Sequence, residues 1–244
     1  MLPKLNDTMQ YTMVIPSQMK EVKFRPYLVK EEKTMMLALE SNDARLVLDT
    51  IASTVESCLI DYEGSVRKLT TFDIEYMFLQ IRSKSVGESV ELNVSCQECQ
   101  HTQQHTLEFD KIKPPVVNKK LKTLIEITDT IKIQMKYPSY VDLMNSTSGE
   151  VAGSENEKAL STVFSAIISC IDYIMVNDEE KISAEDYTHD QLVEFIEQFT
   201  SAQFNKLKEF IVSVPNLEHT VKWKCGSCGH NNEVVMRGTT DFFQ

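Results

Sequence analysis

The sequence is poor in the residues that break or loosen a chain. Seven glycines and seven prolines among 244 residues exclude collagen-like and low-complexity linker segments. Long apolar runs are also missing. The most apolar stretch, Val163 to Val176, is interrupted by Ser165, Ser169 and Asp172 and is too short to span a bilayer. The opening residues, Met1 to Gln10, lack the basic-then-apolar pattern of a secretory leader. The expected compartment is therefore a reducing cytoplasm, where cysteines are free thiols or metal ligands rather than disulfides. Catalytic signatures are missing as well. The chain has no P-loop, GxGxxG, HExxH or GxSxG pattern. His105, His189 and His219 lie in polar contexts with no nucleophile beside them, and Glu31-Glu32 and Glu179-Glu180 read as solvated charge. Neither an enzymatic activity nor a small-molecule substrate is expected.

What is present is enough for a sizeable core, since 42% of the residues are hydrophobic. The net charge of −11 is unevenly placed. Residues 150–200 carry twelve Asp or Glu and two Lys or Arg, and the remainder is nearly neutral. A nucleic-acid binder shows the opposite bias. An acidic stretch fits either a soluble helical surface or a basic partner.

The pattern along the chain is α+β, with helical blocks separated by β-hairpins. Tyr11 to Ile15 and Glu21 to Pro26 read as a first hairpin around a turn starting at Pro16-Ser17. A helix is expected from Val29 to Glu40. A second, capped by Asp43, carries Ala44, Leu48, Ile51, Val55 and Cys58 on one face. A third, from Thr70 or Thr71, buries Ile74, Met77, Phe78 and Ile81. Alternation predicts a strand over Ser89 to Ser95, a return strand near Thr106 to Phe109, and a further pair at Leu124 to Ile127 and Ile131 to Met135. Ser146 to Ser154 reads as a loop. The second half reads as helical, with a stripe of Leu160, Val163, Phe164, Ile167, Ile171 and Ile174. Thr188 with Gln191 predicts a capping box, and Ser201 a cap for a further helix. The chain ends with strands near Thr220 to Lys224 and Glu233 to Arg237. This reading divides the chain into an α+β region over 1–145 and an acidic helical region over 146–244.

Each region holds one CxxC pair: Cys96 with Cys99, and Cys225 with Cys228. In both, a strand precedes the first cysteine and a polar turn follows it. Two residues between cysteines let both thiolates face one ion, so two such knuckles supply the four tetrahedral ligands of a closed structural zinc site. Four thiolates favour zinc over magnesium or calcium. The expected arrangement is a split zinc ribbon that clamps the two regions into one unit. A dithiol redox pair is the rival reading, but the βαβ context is missing. Gln100 stands where the second knuckle has Gly229, which predicts a less glycine-dependent turn in the first. His101 and His230 follow the pairs and are expected outside the ligand shell. Cys58 and Cys170 fall on apolar stripes and are expected to be buried and inert. Zinc ribbons also bind nucleic acid. Lys111, Lys113, Lys119, Lys120, Lys122, Lys222 and Lys224 could contact phosphates, although no aromatic stacking platform accompanies them.

Three segments carry a family resemblance: Phe24 to Lys33 (FRPYLVKEEK), Phe72 to Glu88 (FDIEYMFLQIRSKSVGE) and Met135 to Ser139 (MKYPS). They resemble segments of the baseplate hub assembly proteins of T-even-type contractile-tailed bacteriophages. The resemblance implies a non-enzymatic role in building the central hub of a tail baseplate, with hub proteins as partners in the infected host cytoplasm. Two forms of that role stand, a chaperone that binds hub subunits and leaves, and a component retained in the virion. A zinc-ribbon nucleic-acid adaptor is the third reading. By the same analogy Arg25, Arg82 and Lys84 are candidate partner contacts, with intramolecular ion pairing as their alternative.

Overall fold

The computed structural model describes residues 9–41, 43–118, 120–146 and 155–238. The loop expected over Ser146 to Ser154 lies, beyond Ser146, outside them. The chain folds into two compact units. One contains residues 1–66, 72–116 and 215–244, and the other residues 67–71 and 117–214. The units are interleaved along the chain rather than consecutive.

The first unit opens with the antiparallel hairpin β1 (Tyr11–Ile15) and β2 (Lys20–Phe24), paired from Tyr11 with Phe24 to Ile15 with Lys20. Alternation puts Met13, Ile15, Val22 and Phe24 in the core. Helices α1 (Val29–Glu40), α2 (Ala44–Cys58) and α3 (Thr71–Ser85) follow. Asp43 caps α2 as expected, its carboxylate accepting from the N–H groups of Arg45 and Leu46. Ile51, Val55 and Cys58 on α2 are buried, as are Ile74, Met77, Phe78 and Ile81 on α3. α3 is apolar over more than one face, because Phe72 and Leu79 are buried too. Two further hairpins complete the unit, β3 (Ser89–Ser95) with β4 (Thr102–Glu108) and, near the chain end, β9 (Glu218–Lys224) with β10 (Asn231–Arg237).

The resemblance segments of this unit meet one another. The Arg25 guanidinium donates to Glu31 Oε1 at 2.9 Å and to the carbonyls of Pro26 and Ser57. Tyr27 N–H donates to Ser85 Oγ at 2.9 Å. The fully buried Asp73 accepts from both the N–H and the hydroxyl of Ser17 in the first hairpin.

The second unit is built on a four-stranded antiparallel sheet in the order β5 (Leu124–Glu126), β6 (Ile131–Met135), β7 (Ile171–Val176), β8 (Glu180–Ser183). Its helices are α4 (Tyr140–Ser146), α5 (Glu155–Ser169), α6 (His189–Glu197) and α7 (Ser201–Val212). Ile133, Met135, Ile167, Ile171, Ile196, Leu207 and Phe210 belong to its core.

Here the structure corrects the helical reading of residues 160–176. α5 stops at Ser169, and Ile171 and Ile174 sit on strand β7. Leu160, expected in the stripe, is 56% exposed. The β7–β8 turn passes through Asn177 and Asp178, both left-handed at φ 53° and 60°, and Glu179 N–H closes it onto Val176 O. Asn and Asp are the residues that tolerate this conformation best after glycine. The Thr188–Gln191 capping box is present. α7 is capped one residue earlier than expected, by Thr200 in a second box with Gln203.

Candidate metal centre

The four cysteines of the two CxxC pairs meet within the first unit. Their Sγ atoms all lie within 4.8 Å of one another. Cys96 Sγ is 3.7 Å from Cys228 Sγ, and Cys99 Sγ is 3.7 Å from Cys225 Sγ. These distances rule out disulfide bonds between them. They match the edge of about 3.8 Å that a tetrahedron with zinc–sulfur bonds of about 2.3 Å requires. The four residues are the only group of three or more metal-ligating side chains among the described residues.

The two knuckles are built alike. In the first, Cys96 N–H donates to His101 O and Gln100 N–H to Cys96 O, both at 2.9 Å. In the second, Cys225 N–H donates to His230 O at 2.8 Å and Gly229 N–H to Cys225 O at 3.0 Å. His101 and His230 thus serve through their main-chain carbonyls. Gln100 has φ 59° and Gly229 has φ 74°, which overturns the expectation of a different first turn. Both knuckles use the left-handed conformation, and Gln100 bears its steric cost.

The likeness extends along both hairpins. One constant offset in numbering carries Cys96 to Cys225, Cys99 to Cys228, β3 onto β9 and β4 onto β10. It also carries the buried Leu92, Val94 and Leu107 onto the buried Val221, Trp223 and Met236. The bonds that join the hairpins obey it too. Gln97 N–H donates to Asn232 Oδ1 at 2.9 Å, and its counterpart Gly226 N–H donates to Gln103 Oε1 at 2.8 Å. Each knuckle is therefore capped by a side chain of the other, and the site has approximate two-fold symmetry. α3 supports the pair, since its Leu79 belongs to the core cluster of the two hairpins and Tyr76 packs against it.

The donor set suits a cation. The N–H of Cys99 does most to bring the Cys96 thiol down to about 6, helped by Glu98 N–H, Asn232 and Cys228 against its burial. Cys225 is lowered by the N–H of Cys228, with Ser227 N–H and the thiols of Cys228 and Cys99 adding to it. Cys228 goes the other way, to about 12. His230 N–H favours its thiolate, but the thiols of Cys99, Cys225 and Cys96 together with burial outweigh it. Four close thiolates repel one another, and a divalent ion at their centre removes that cost. Cys58 and Cys170 lie apart, buried, and burial pushes them up to about 11 and about 12.

The other candidate residues are engaged within the chain. Besides the Arg25 contacts above, the Arg82 guanidinium lies 5.5 Å from the Phe109 ring centre, and burial lowers its pKa. Lys84 pairs with Glu88 and lies over the Tyr11 ring. Of the basic residues considered for phosphate contact, Lys111 pairs with Glu108 and Lys222 with Glu233.

Fold and site together define a two-hairpin, four-thiol centre on an α+β scaffold. The chain belongs to a phage family: the family model described as T4 bacteriophage base plate protein matches residues 8–244. Neither the curated proteins nor the solved structures contain a match to it. No helix among the described residues is long and apolar enough to cross a membrane.

Proposed function

We propose that this chain is an assembly factor for the baseplate hub. It binds hub subunits in the infected host cytoplasm while the tail is built, catalyses no reaction, and keeps its shape through one zinc ion held by Cys96, Cys99, Cys225 and Cys228. The observation that carries this reading is the family match over residues 8–244. The sulfur geometry supports the zinc. A closed four-thiolate shell leaves no open position for substrate or water, so the ion is structural. The acidic stretch over 150–200 suits a basic subunit surface and disfavours nucleic acid.

The alternative is a component retained in the virion. It draws on α1, where Val29, Met36, Leu37 and Leu39 are all more than half exposed, since permanent interfaces bury more apolar surface than transient ones. Quantitative mass spectrometry of purified virions and infected-cell lysate decides between them. The assembly-factor reading predicts abundance in lysate and absence from virions. A fixed ratio to other baseplate proteins in virions would replace it with the retained component.

A further inference from the structure

The two knuckle hairpins border a groove of about 680 Å³. Its walls include the consecutive residues Glu91 to Ser95 of β3 and Val234 to Met236 of β10, with Gln97 and Trp223 completing the lining. A sheet face offers every second residue and a sheet edge offers each one, so this groove runs along strand edges. Among the described residues β3 pairs only with β4, and β10 only with β9.

The bonds at the hairpin ends decide which groups face outward. Phe109 N–H donates to Glu88 O and Cys96 N–H to His101 O. Antiparallel alternation then turns the main-chain N–H and C=O of Glu91 and Asn93 toward the free edge of β3. On β10 the bonds Cys225 to His230 and Gly238 to Leu217 turn those of Glu233 and Val235 outward in the same way. Gln97 Nε2 already donates to Glu233 O at 3.1 Å, which shows one such edge group recruiting a partner. Glu91 is exposed and has no ion pair among the described residues.

We propose that this groove is the docking site for an extended strand of a partner protein. The strand pairs with the free edge of β3, and its apolar residues alternate toward Val234, Val235 and Met236. It carries a Lys or Arg beside Glu91 on the outer face, where cross-strand neighbours of opposite charge attract. Strand addition of this kind takes its affinity from main-chain bonds and its specificity from alternate side chains. The uncompensated negative charge on the edge selects a basic strand over a second copy of β3, which would add a second Glu91.

The inference rests on the chain's working among baseplate proteins, but on neither the departing nor the retained form of that role. It is tested with the full chain carrying a photo-crosslinking residue at Val235 in phage-infected cells, with adducts mapped by peptide mass spectrometry. The expected adduct is one segment of one other protein, alternating apolar and polar with a Lys or Arg. Its yield should fall at least tenfold in Glu91→Lys and in Asn93→Pro, which removes an edge donor. Each variant is first required to keep the parent's thermal midpoint, and Glu91→Gln substitutes for Glu91→Lys where it does not. No adduct, an adduct to a helix or to a second copy, or a yield indifferent to the β3 variants would overturn the inference. A strand from a protein outside the baseplate would sustain it and refute the assembly reading. Helical segments of baseplate proteins would do the reverse.

Discussion

Gln100 and Gly229 make one comparison at the scale of the single residue. They hold equivalent left-handed positions, φ 59° and 74°, with only one of them suited to it. Gln100→Gly should stabilise the protein by about 0.5–1 kcal/mol, the steric penalty relieved less the added chain entropy. Gly229→Ala should cost about 1 kcal/mol. A Cβ there meets nothing nearer than Lys224 Cε at 3.7 Å, so that cost is backbone strain alone. Urea unfolding of both variants checks the pair, and equal responses would remove the strain argument. This turn was not legible in advance, because Gln is not a residue that announces a left-handed turn.

Glu31 gives the second comparison. It is 8% exposed, and burial alone would raise its pKa. The hydrogen bonds from Arg25 and from Leu28 N–H outweigh that and hold it below the ordinary carboxylate range. A depressed folded pKa contributes stability above the unfolded value, near 4.3, and loses it as pH falls through the folded one. Glu31→Gln should therefore cost about 1–3 kcal/mol at neutral pH. The gap to the parent should narrow on acidification below about pH 4. A pH-independent gap would mean that the charge of Glu31 has no part in it. The resemblance reading offered Arg25 as a partner contact. Its bonds to Glu31, Pro26 and Ser57 give it the intramolecular pairing that stood as the alternative.

Among the elements, strand alternation and capping were readable, and the length of an apolar stripe was not. β3 and β6 follow their alternating patterns residue for residue, and α1 has the expected ends. Residues 160–176 failed because apolar residues spaced by three and four continue from α5 into β7 without a glycine or proline between them. The signal that could have separated them is Asn177-Asp178, a turn pair that asks for strands on both sides. The cap of α7 failed by one residue, since Thr200 and Ser201 are both capable. The structure assigns the bond to Thr200. Thr200→Ala should cost about 1 kcal/mol and Ser201→Ala a few tenths, measured by thermal or urea unfolding. The reverse order would move the cap back.

Across the whole molecule, the centre joins cysteines as far as 132 positions apart, Cys96 and Cys228, and both belong to one compact unit. The pairing of the knuckles was legible because a CxxC turn after a strand has few uses, and two of them complete one shell. Their two-fold symmetry was only half legible. The cysteines show it, but Gln103 and Asn232, which cap the opposite knuckles, share a role rather than a residue type. A cross-link closing so long a loop stabilises the fold by about 4–5 kcal/mol in the chain-entropy account. Metal removal should accordingly loosen both hairpins together. In Cys228→Ser, amide exchange should rise around Cys96 as well as around Cys225.

The most direct test is the metal content of the purified full chain, measured by native mass spectrometry before and after a chelator challenge. The account predicts one zinc per chain, and replacing any one of the four cysteines by serine should make it strippable at a similarly reduced chelator concentration. A folded, metal-free protein, or a zinc that survives Cys96→Ser but not Cys225→Ser, would contradict a single shared site.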